Sequence, residues 1–187
     1  MKSLKEILME GFLRKNLGLG HEELIKKWLD EHRITNYTIN SDWTIDIEGS
    51  VNLMGYAEKQ LPDYIQFGKV TGYFRYNECE NLKSLNGCPK EVGKSFNCSY
   101  CPKLESLEGA PQKVGTYFNC SECSNLKSLQ GGPQEVRDFN CKNCPNLKSL
   151  KGAPQKVGGY FKCVEYGGQF TKDDVKKVCK VKRYIYV

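Results

Sequence analysis

Four stretches of this chain can be laid over one another almost residue for residue: GYFRYNECENLKSLNGCPKEV, GKSFNCSYCPKLESLEGAPQKV, GTYFNCSECSNLKSLQGGPQEV and RDFNCKNCPNLKSLKGAPQKV. A fifth begins at GYFKCVEY and stops. Phe74, Phe96, Phe118, Phe139 and Phe161 mark the register, with a period of about 22 residues. A unit this short cannot hide its own Phe, Cys and Leu side chains, so successive units must stack and bury one another. That requirement selects a solenoid over any globular arrangement of separate elements. The Phe118 to Phe139 interval is one residue short, and the deletion falls between Val136 and Phe139, where a turn absorbs it.

Within a unit, period-two alternation around the Phe puts Phe96 and Cys98 on one face of a short strand and Ser95, Asn97 and Ser99 on the other. Leu104 and Leu107 bring the chain back under the core. Gly109 and Pro111 turn it, because glycine tolerates positive φ and proline fixes its own. Val114 closes the coil. The order Phe-x-Cys-x-x-Cys-x-x-Leu, as in Phe96, Cys98, Cys101 and Leu104, matches the L-x-L-x-x-N/C-x-L core of the leucine-rich repeat with one extra residue before the last Leu.

With its Ser-Leu-x-Gly-Ala-Pro-x-x-Val return segment, the chain from about Val51 to Val187 resembles the leucine-rich-repeat-like proteins encoded by tailed bacteriophages and some bacteria. The resemblance implies a leucine-rich-repeat-like solenoid of short parallel strands and irregular return segments. It also implies a phage setting, in which a host or phage protein is the partner and an anti-defence or host-takeover role follows by analogy. Leu8-Met9-Glu10-Gly11 is similar to the sequence cleaved by the prohead proteases of certain tailed phages. That likeness implies an alternative, a packaged virion protein trimmed after Glu10; the plainer account is an amphipathic helix of Leu4, Ile7, Leu8 and Phe12 packing on its own protein.

Both ends carry what an open stack needs. Residues 1–50 are expected to form an N-terminal cap, with Leu24, Ile25, Trp28 and Leu29 on one face of a helix and two strands after it, split by an Asn-Ser-Asp turn. Residues 51–168 form the solenoid, beginning with a degenerate coil that contains Val51, Leu53, Leu61, Pro62 and Val70. Residues 169–187 form a helix-strand C-terminal cap: Thr171 and Asp174 make a capping box, Phe170 and Val175 a hydrophobic staple, and RYIYV a last strand.

The 10 cysteines require an account of their own. Cys98-x-x-Cys101, Cys120-x-x-Cys123 and Cys141-x-x-Cys144 have the spacing of a four-cysteine zinc site. The repeat itself dictates that spacing. Tyr76 and Tyr166 stand at equivalent places in the outer coils, which a buried apolar column tolerates and a ligand set does not. Buried thiol columns are therefore the reading, with no metal or cofactor implied. His21 and His32 lie in or beside the first helix, far in sequence from every cysteine pair. They read as solvated helix residues, and no catalytic constellation is suggested. The Gly-x-Pro segments are turns and lack the pattern of a phosphate loop.

The opening MKSLKEILMEGF is broken by Glu6 and Glu10, so no secretory signal is read and a cytoplasmic location is expected, with the virion as the alternative. No apolar run approaches the roughly 20 residues that would cross a membrane. The formal charge of +6 is mostly interleaved with acids, apart from Lys176, Lys177, Lys180, Lys182 and Arg183. The favoured reading of this run is a solvated helix face and not a nucleic-acid site, and a zinc- or nucleic-acid-binding protein stands as the third alternative for function. The candidate binding surface is the outward strand face: Tyr73, Arg75 and Asn77; Ser95 and Asn97; Tyr117 and Asn119; Asp138 and Asn140; Tyr160 and Lys162. Tyrosine supplies rigid contact area, and Asn and Ser supply adaptable hydrogen bonds, a composition suited to a protein partner. The asparagines have a second reading, a hydrogen-bonded ladder that merely holds the sheet.

Overall fold

A computed structural model describes residues 20–164 and 170–187, and shows a β-solenoid of about six turns with parallel strands and few helices. The cleavage-like sequence at Leu8 to Gly11 and the Tyr166 position lie outside the described residues. Each regular coil contributes two short strands that meet at a corner, so the strands rise in two parallel stacks. The first stack runs β1 (Tyr37–Ile39), β2 (Ile45–Ile47), β4 (Phe67–Val70), β6 (Glu91–Val92), β8 (Lys113–Asn119), β9 (Glu135–Asn140), β10 (Lys156–Val157) and β12 (Lys180–Val181). The second runs β3 (Val51–Asn52), β5 (Phe74–Arg75), β7 (Phe96–Asn97), β8, β9, β11 (Tyr160–Lys162) and β13 (Tyr184–Tyr186). β8 and β9 are long enough to pass through the corner and belong to both.

The two stacks enclose one core. Phe74, Phe96, Phe118, Phe139 and Phe161 are paired rung to rung and fully buried. Their ring centroids stand 5.6, 5.2, 5.5 and 5.3 Å apart in turn. Val92, Val114, Val136 and Val157 form the facing column from the first stack, and the paired leucines of each return segment floor the coil. Val114, expected from the sequence to close a coil, lies instead in a strand of the first stack. The shortened coil is accommodated at the corner: Val114 pairs with Val136 but Tyr117 pairs with Asp138, so three steps on β8 match two on β9.

The outward residues of the first stack show how register is held. Lys69 faces Glu91, Glu91 faces Lys113, Lys113 faces Glu135 and Glu135 faces Lys156. Opposite charges on adjacent strands attract and like charges directly opposite repel, so alternation lets long charged side chains stack at the rung spacing. Ion pairs at 3.7 Å (Lys69 to Glu91) and 2.9 Å (Glu135 to Lys156) close two of the rungs. One residue slipped along the chain turns every column inside out.

Turns repeat as faithfully as strands. Gly87, Gly109, Gly131 and Gly152 have φ between +85° and +88°, and a Cβ on Gly131 would lie 2.5 Å from Glu108 Cα of the coil below. A second left-handed position follows β5, β7, β8 and β9, held by Glu78, Tyr100, Glu122 and Asn143 at φ between +53° and +60°. This conformation swings the next side chain, a cysteine in each case, back under the core.

At the beginning, α1 (His21–Glu31) buries Leu24, Ile25, Trp28 and Leu29, and β1 and β2 form an antiparallel hairpin. β2 already pairs in parallel with β4, so the first stack starts before residue 51. At the other end α2 (Lys172–Val178) occupies the place of a return segment and buries Val175. Thr171 Oγ1 accepts from the Asp174 amide at 3.2 Å while Asp174 Oδ2 accepts from the Thr171 amide at 3.0 Å, the capping box read from the sequence. β12 and β13 then add one more rung to each stack beyond residue 168. Among the described residues no helix is long and apolar enough to cross a membrane.

These columns rank substitutions. Phe118→Ala empties a fully buried site between two stacked rings, and Leu126→Ala a fully buried floor position, so each costs about 2 to 5 kcal/mol in chemical denaturation. Gly131→Ala combines positive φ with a backbone clash and costs about 2 to 4 kcal/mol on the same scale. Asn119→Ala costs about 1 kcal/mol because only hydrogen bonds are lost. Equal losses at Phe118 and Asn119 would overturn the assignment of faces.

Candidate functional site

The outward side of the second stack carries the residues singled out in the sequence, and the structure divides them. Tyr73, Ser95, Tyr117, Asp138 and Tyr160 share one column, which continues to Tyr184. Arg75, Asn97, Asn119, Asn140 and Lys162 share the next, which begins at Asn52 and continues to Tyr186. Asn77 is in neither. It sits two residues past β5, where the chain bends into the left-handed residue Glu78, and it is only 6% exposed. Its Nδ2 donates to Glu78 Oε1 at 2.9 Å and its Oδ1 is buried without a partner among the described residues. Simple alternation put Asn77 outside; the bend after each strand removes it from the accessible face.

The asparagine column is structural first. Asn52, Asn97, Asn119 and Asn140 each accept, through Oδ1, the amide two residues on, at 3.1 to 3.3 Å. This side-chain turn holds the bend that follows the strand. Asn140 also donates through Nδ2 to Asn119 Oδ1 at 3.0 Å and to Tyr117 Oη at 2.9 Å, and is 6% exposed. The ladder reading therefore holds for Asn119 and Asn140.

What remains accessible is aromatic and basic. At the early end Tyr73, 41% exposed, lies 5.2 Å from Lys94 Nζ and 5.9 Å from the Arg75 guanidinium, both measured to its ring centroid. Ser95 is tied to Thr116 by a 2.8 Å hydroxyl contact. At the late end Tyr117 and Tyr160 stand 6.2 Å apart across Asp138, Tyr160 and Tyr186 6.4 Å, and Tyr186 and Tyr184 6.1 Å. Asp138 spends one carboxylate oxygen on the Tyr160 amide at 3.0 Å. Burial pushes the Tyr117 phenol up to about 12, and burial together with the Asp138 carboxylate pushes Tyr160 up as well. Both rings are therefore neutral, half-buried contact surfaces with a polar tip. Tyr184 and Tyr186, 61% and 47% exposed, extend the strip to the last rung. Sequence reading had RYIYV as a terminal strand, and its period-two tyrosines were the available signal for the same face.

The cysteines take no part in this surface. None of the ten forms a disulfide, and all are buried. The second cysteine of each coil donates its thiol downward: Cys79 to Leu53 O at 3.5 Å, Cys101 to Tyr76 O at 3.4 Å, Cys123 to Cys98 O at 3.2 Å and Cys144 to Cys120 O at 3.3 Å. A small apolar side chain with one weak donor satisfies a buried carbonyl where the coil bends, which explains cysteine in that column. Burial holds the thiols of Cys98, Cys120 and Cys141 well above their ordinary range, and a hydrogen bond with Cys123 raises Cys101 to about 12. Thiolate is the form a metal or an electrophile requires, and it is disfavoured here. Among the described residues no three His, Cys, Asp or Glu side chains are grouped to hold a metal ion. The histidines lean on tryptophans instead of standing free in solvent: His21 against Trp43 with centroids 4.6 Å apart, and His32 stacked on Trp28 at 4.0 Å with Nδ1 at 2.8 Å from Trp28 O. The chain matches no family model, no curated protein and no solved structure.

Raised thiol pKa values stabilise the folded chain below the unfolded thiol value and lose that contribution as pH rises through the folded ones. The urea midpoint is therefore expected to hold to pH about 8.5 and to fall above it, less steeply in Cys98→Ala/Cys120→Ala. At pH about 8 an aromatic disulfide reagent should modify the thiols at the rate of unfolding. Rapid modification of the native chain would show that the columns are open.

Proposed function

We propose that this chain is a non-enzymatic protein-binding module, a leucine-rich-repeat-like solenoid whose N-terminal helix and hairpin and C-terminal helix-strand unit act as caps. The partner docks on the outward side of the second stack. The observation that carries this reading is the strip formed by Tyr117, Tyr160, Tyr186 and Tyr184, whose neighbouring rings stand 6.1 to 6.4 Å apart along β8, β11 and β13. Interfaces draw most of their energy from a few aromatic and arginine anchors, and tyrosine with few rotatable bonds loses little entropy on docking. Strands stacked at roughly 4.8 Å give a face about 20 Å across, room for a loop or a small domain. Lys162, opposite Tyr186, flanks the strip with charge. The Asn119 and Asn140 bonds fix the strand ends beneath it, so the anchors are held before a partner arrives. That the partner is a host or phage protein follows from the resemblance of the repeat segment alone.

A comparison of captured proteins tests the assignment. Tyr160→Ala/Tyr186→Ala changes the strip, and Lys103→Ala/Lys148→Ala changes exposed return-segment positions away from it. A specific partner is expected to be retained by the wild type and the lysine variant and lost by the tyrosine variant, all three giving the same circular dichroism. Truncating two anchors costs about 2 kcal/mol or more, about thirtyfold in affinity. The same partner held equally by all three would move the site off this face.

A further inference from the structure

Among the described residues both stacks end on open strands, β12 pairing only with β10 and β13 only with β11. The amides of Lys180 and Lys182 donate inward to Gln155 O and Val157 O, both at 2.9 Å. Strand alternation therefore aims the N–H and C=O of Val181 the other way, at the free side, and Ile185 lies in the same phase on β13. Such an edge is a template for one more strand.

The charge ladder of the first stack says what that strand should carry. Signs alternate at every rung from Lys69 to Lys156 and then fail, because Lys156 faces Lys180. Lys156 is already paired with Glu135 at 2.9 Å. Among the described residues Lys180 has no ion-pair partner, and the rung beyond it is where an acid belongs. The surroundings agree. Residues 171–187 hold six cations against two acids, so four of the chain's six net positive charges gather here. Lys172, Lys176, Lys180 and Arg183 line a recess of about 680 Å³ together with Val181 and Ile185. Lys176 and Lys177 are occupied by Asp173 and Asp174, which leaves Lys172, Lys180, Lys182 and Arg183 to face an incoming anion.

We infer that this terminal edge binds an extended acidic segment of another protein, which adds as the next strand beside β12 and β13 with a carboxylate opposite Lys180. A second copy of this chain would bring its own cations to the same edge. Residues 1–19 hold four cations against two acids and match no better. Nucleic acid would meet the charges but has no backbone to match the outward groups of Val181 and Ile185. The inference stands on the charge ladder and the open edge, although Tyr184 and Tyr186, the last residues of the tyrosine strip, lie on β13 and line the same recess.

A fluorescein-labelled ten-residue peptide alternating Glu with Val or Thr is the probe, read by anisotropy on the full chain. Its comparators are the same peptide with Lys for Glu, the acidic peptide with alternate amides N-methylated, and a ten-nucleotide thymidine strand. The acidic peptide should bind saturably and weaken with salt; the Lys peptide and the oligonucleotide should not bind. N-methylation should reduce binding at least about tenfold, because it blocks strand pairing and leaves the charge in place. Lys180→Glu should also reduce it at least about tenfold while the melting midpoint holds or rises, since the new acid pairs with Lys156. Val181→Pro should do the same with β12 kept, because the lost amide faces outward and proline is tolerated on an edge strand. Absent binding, equal binding after N-methylation, or tighter binding of the oligonucleotide would each overturn the proposal. Because Tyr117→Ala alters the strip away from the recess and is expected to leave peptide binding unchanged, failure of the tyrosine face and failure of the edge are read separately.

Discussion

The rise from one coil to the next governs everything else in this molecule. In-register parallel strands put each side chain directly over its counterpart at roughly 4.8 Å, so every position along the coil becomes a column. A column survives only if its members tolerate one another at that distance. Phenyl rings do so by lying nearly parallel with centroids 5.2 to 5.6 Å apart, a little more than the rise. Thiols do so because they are small and can donate to the carbonyl of the coil below. Asparagine does so by using its carbonyl oxygen on its own chain, and at one rung by passing its amide hydrogens to the neighbour. Lysine over lysine does not, and the first stack alternates sign instead.

How much of this could be read from the chain depends on whether a feature is a property of one coil or of two. The Phe, Cys and Leu columns are visible in a single unit, because the apolar pattern repeats identically and no other fold buries it. The capping box at Thr171 and the helical face of Leu24, Ile25, Trp28 and Leu29 are equally local. The valine strand was harder: only Lys-Val or Glu-Val precedes each corner, too short to declare a strand until its neighbours are in place. The ladder of signs was in print all along, as PKEV, PQKV, PQEV and PQKV in consecutive units. It acquires meaning only when the rungs are stacked. Asn77 went astray for the opposite reason, since alternation is a rule for an extended chain and a left-handed residue ends the extension at Glu78.

The candidate surface shows the same division. Tyr73, Tyr117 and Tyr160 were legible because they precede the strand Phe of their units. Tyr184 and Tyr186 were not assigned to that face, because the final coil has α2 in place of a leucine return segment and so lacks the repeat's signature. The structure restores the equivalence through Tyr160 opposite Tyr184 and Lys162 opposite Tyr186. What the columns leave outside is then a strip in which a side chain needs neither to fit the core nor to satisfy the backbone. Sequence there is the least constrained by the fold, and that is where the exposed tyrosines Tyr73, Tyr184 and Tyr186 are.

The two ends differ in a way that bears on how binding and stability communicate. At the beginning, α1 covers the first coil with Ile25, Trp28 and Leu29, all buried, and an antiparallel hairpin closes the sheet. At the other end Val181 and Ile185 remain half-buried on the last rung, and the column of charges stops on a like pair. In a stack whose stability is a sum over neighbouring interfaces, a coil that pairs on one side only, as β12 and β13 do among the described residues, opens at a lower cost than one paired on both. A segment added to that edge supplies the missing interface and corrects the sign of the ladder in one step. Its binding free energy then appears as protection of the last coil, rising with the logarithm of its concentration over its dissociation constant. The imperfection of the final rung is thus what makes it responsive: a rung already satisfied in charge and in backbone pairing would gain nothing from a partner.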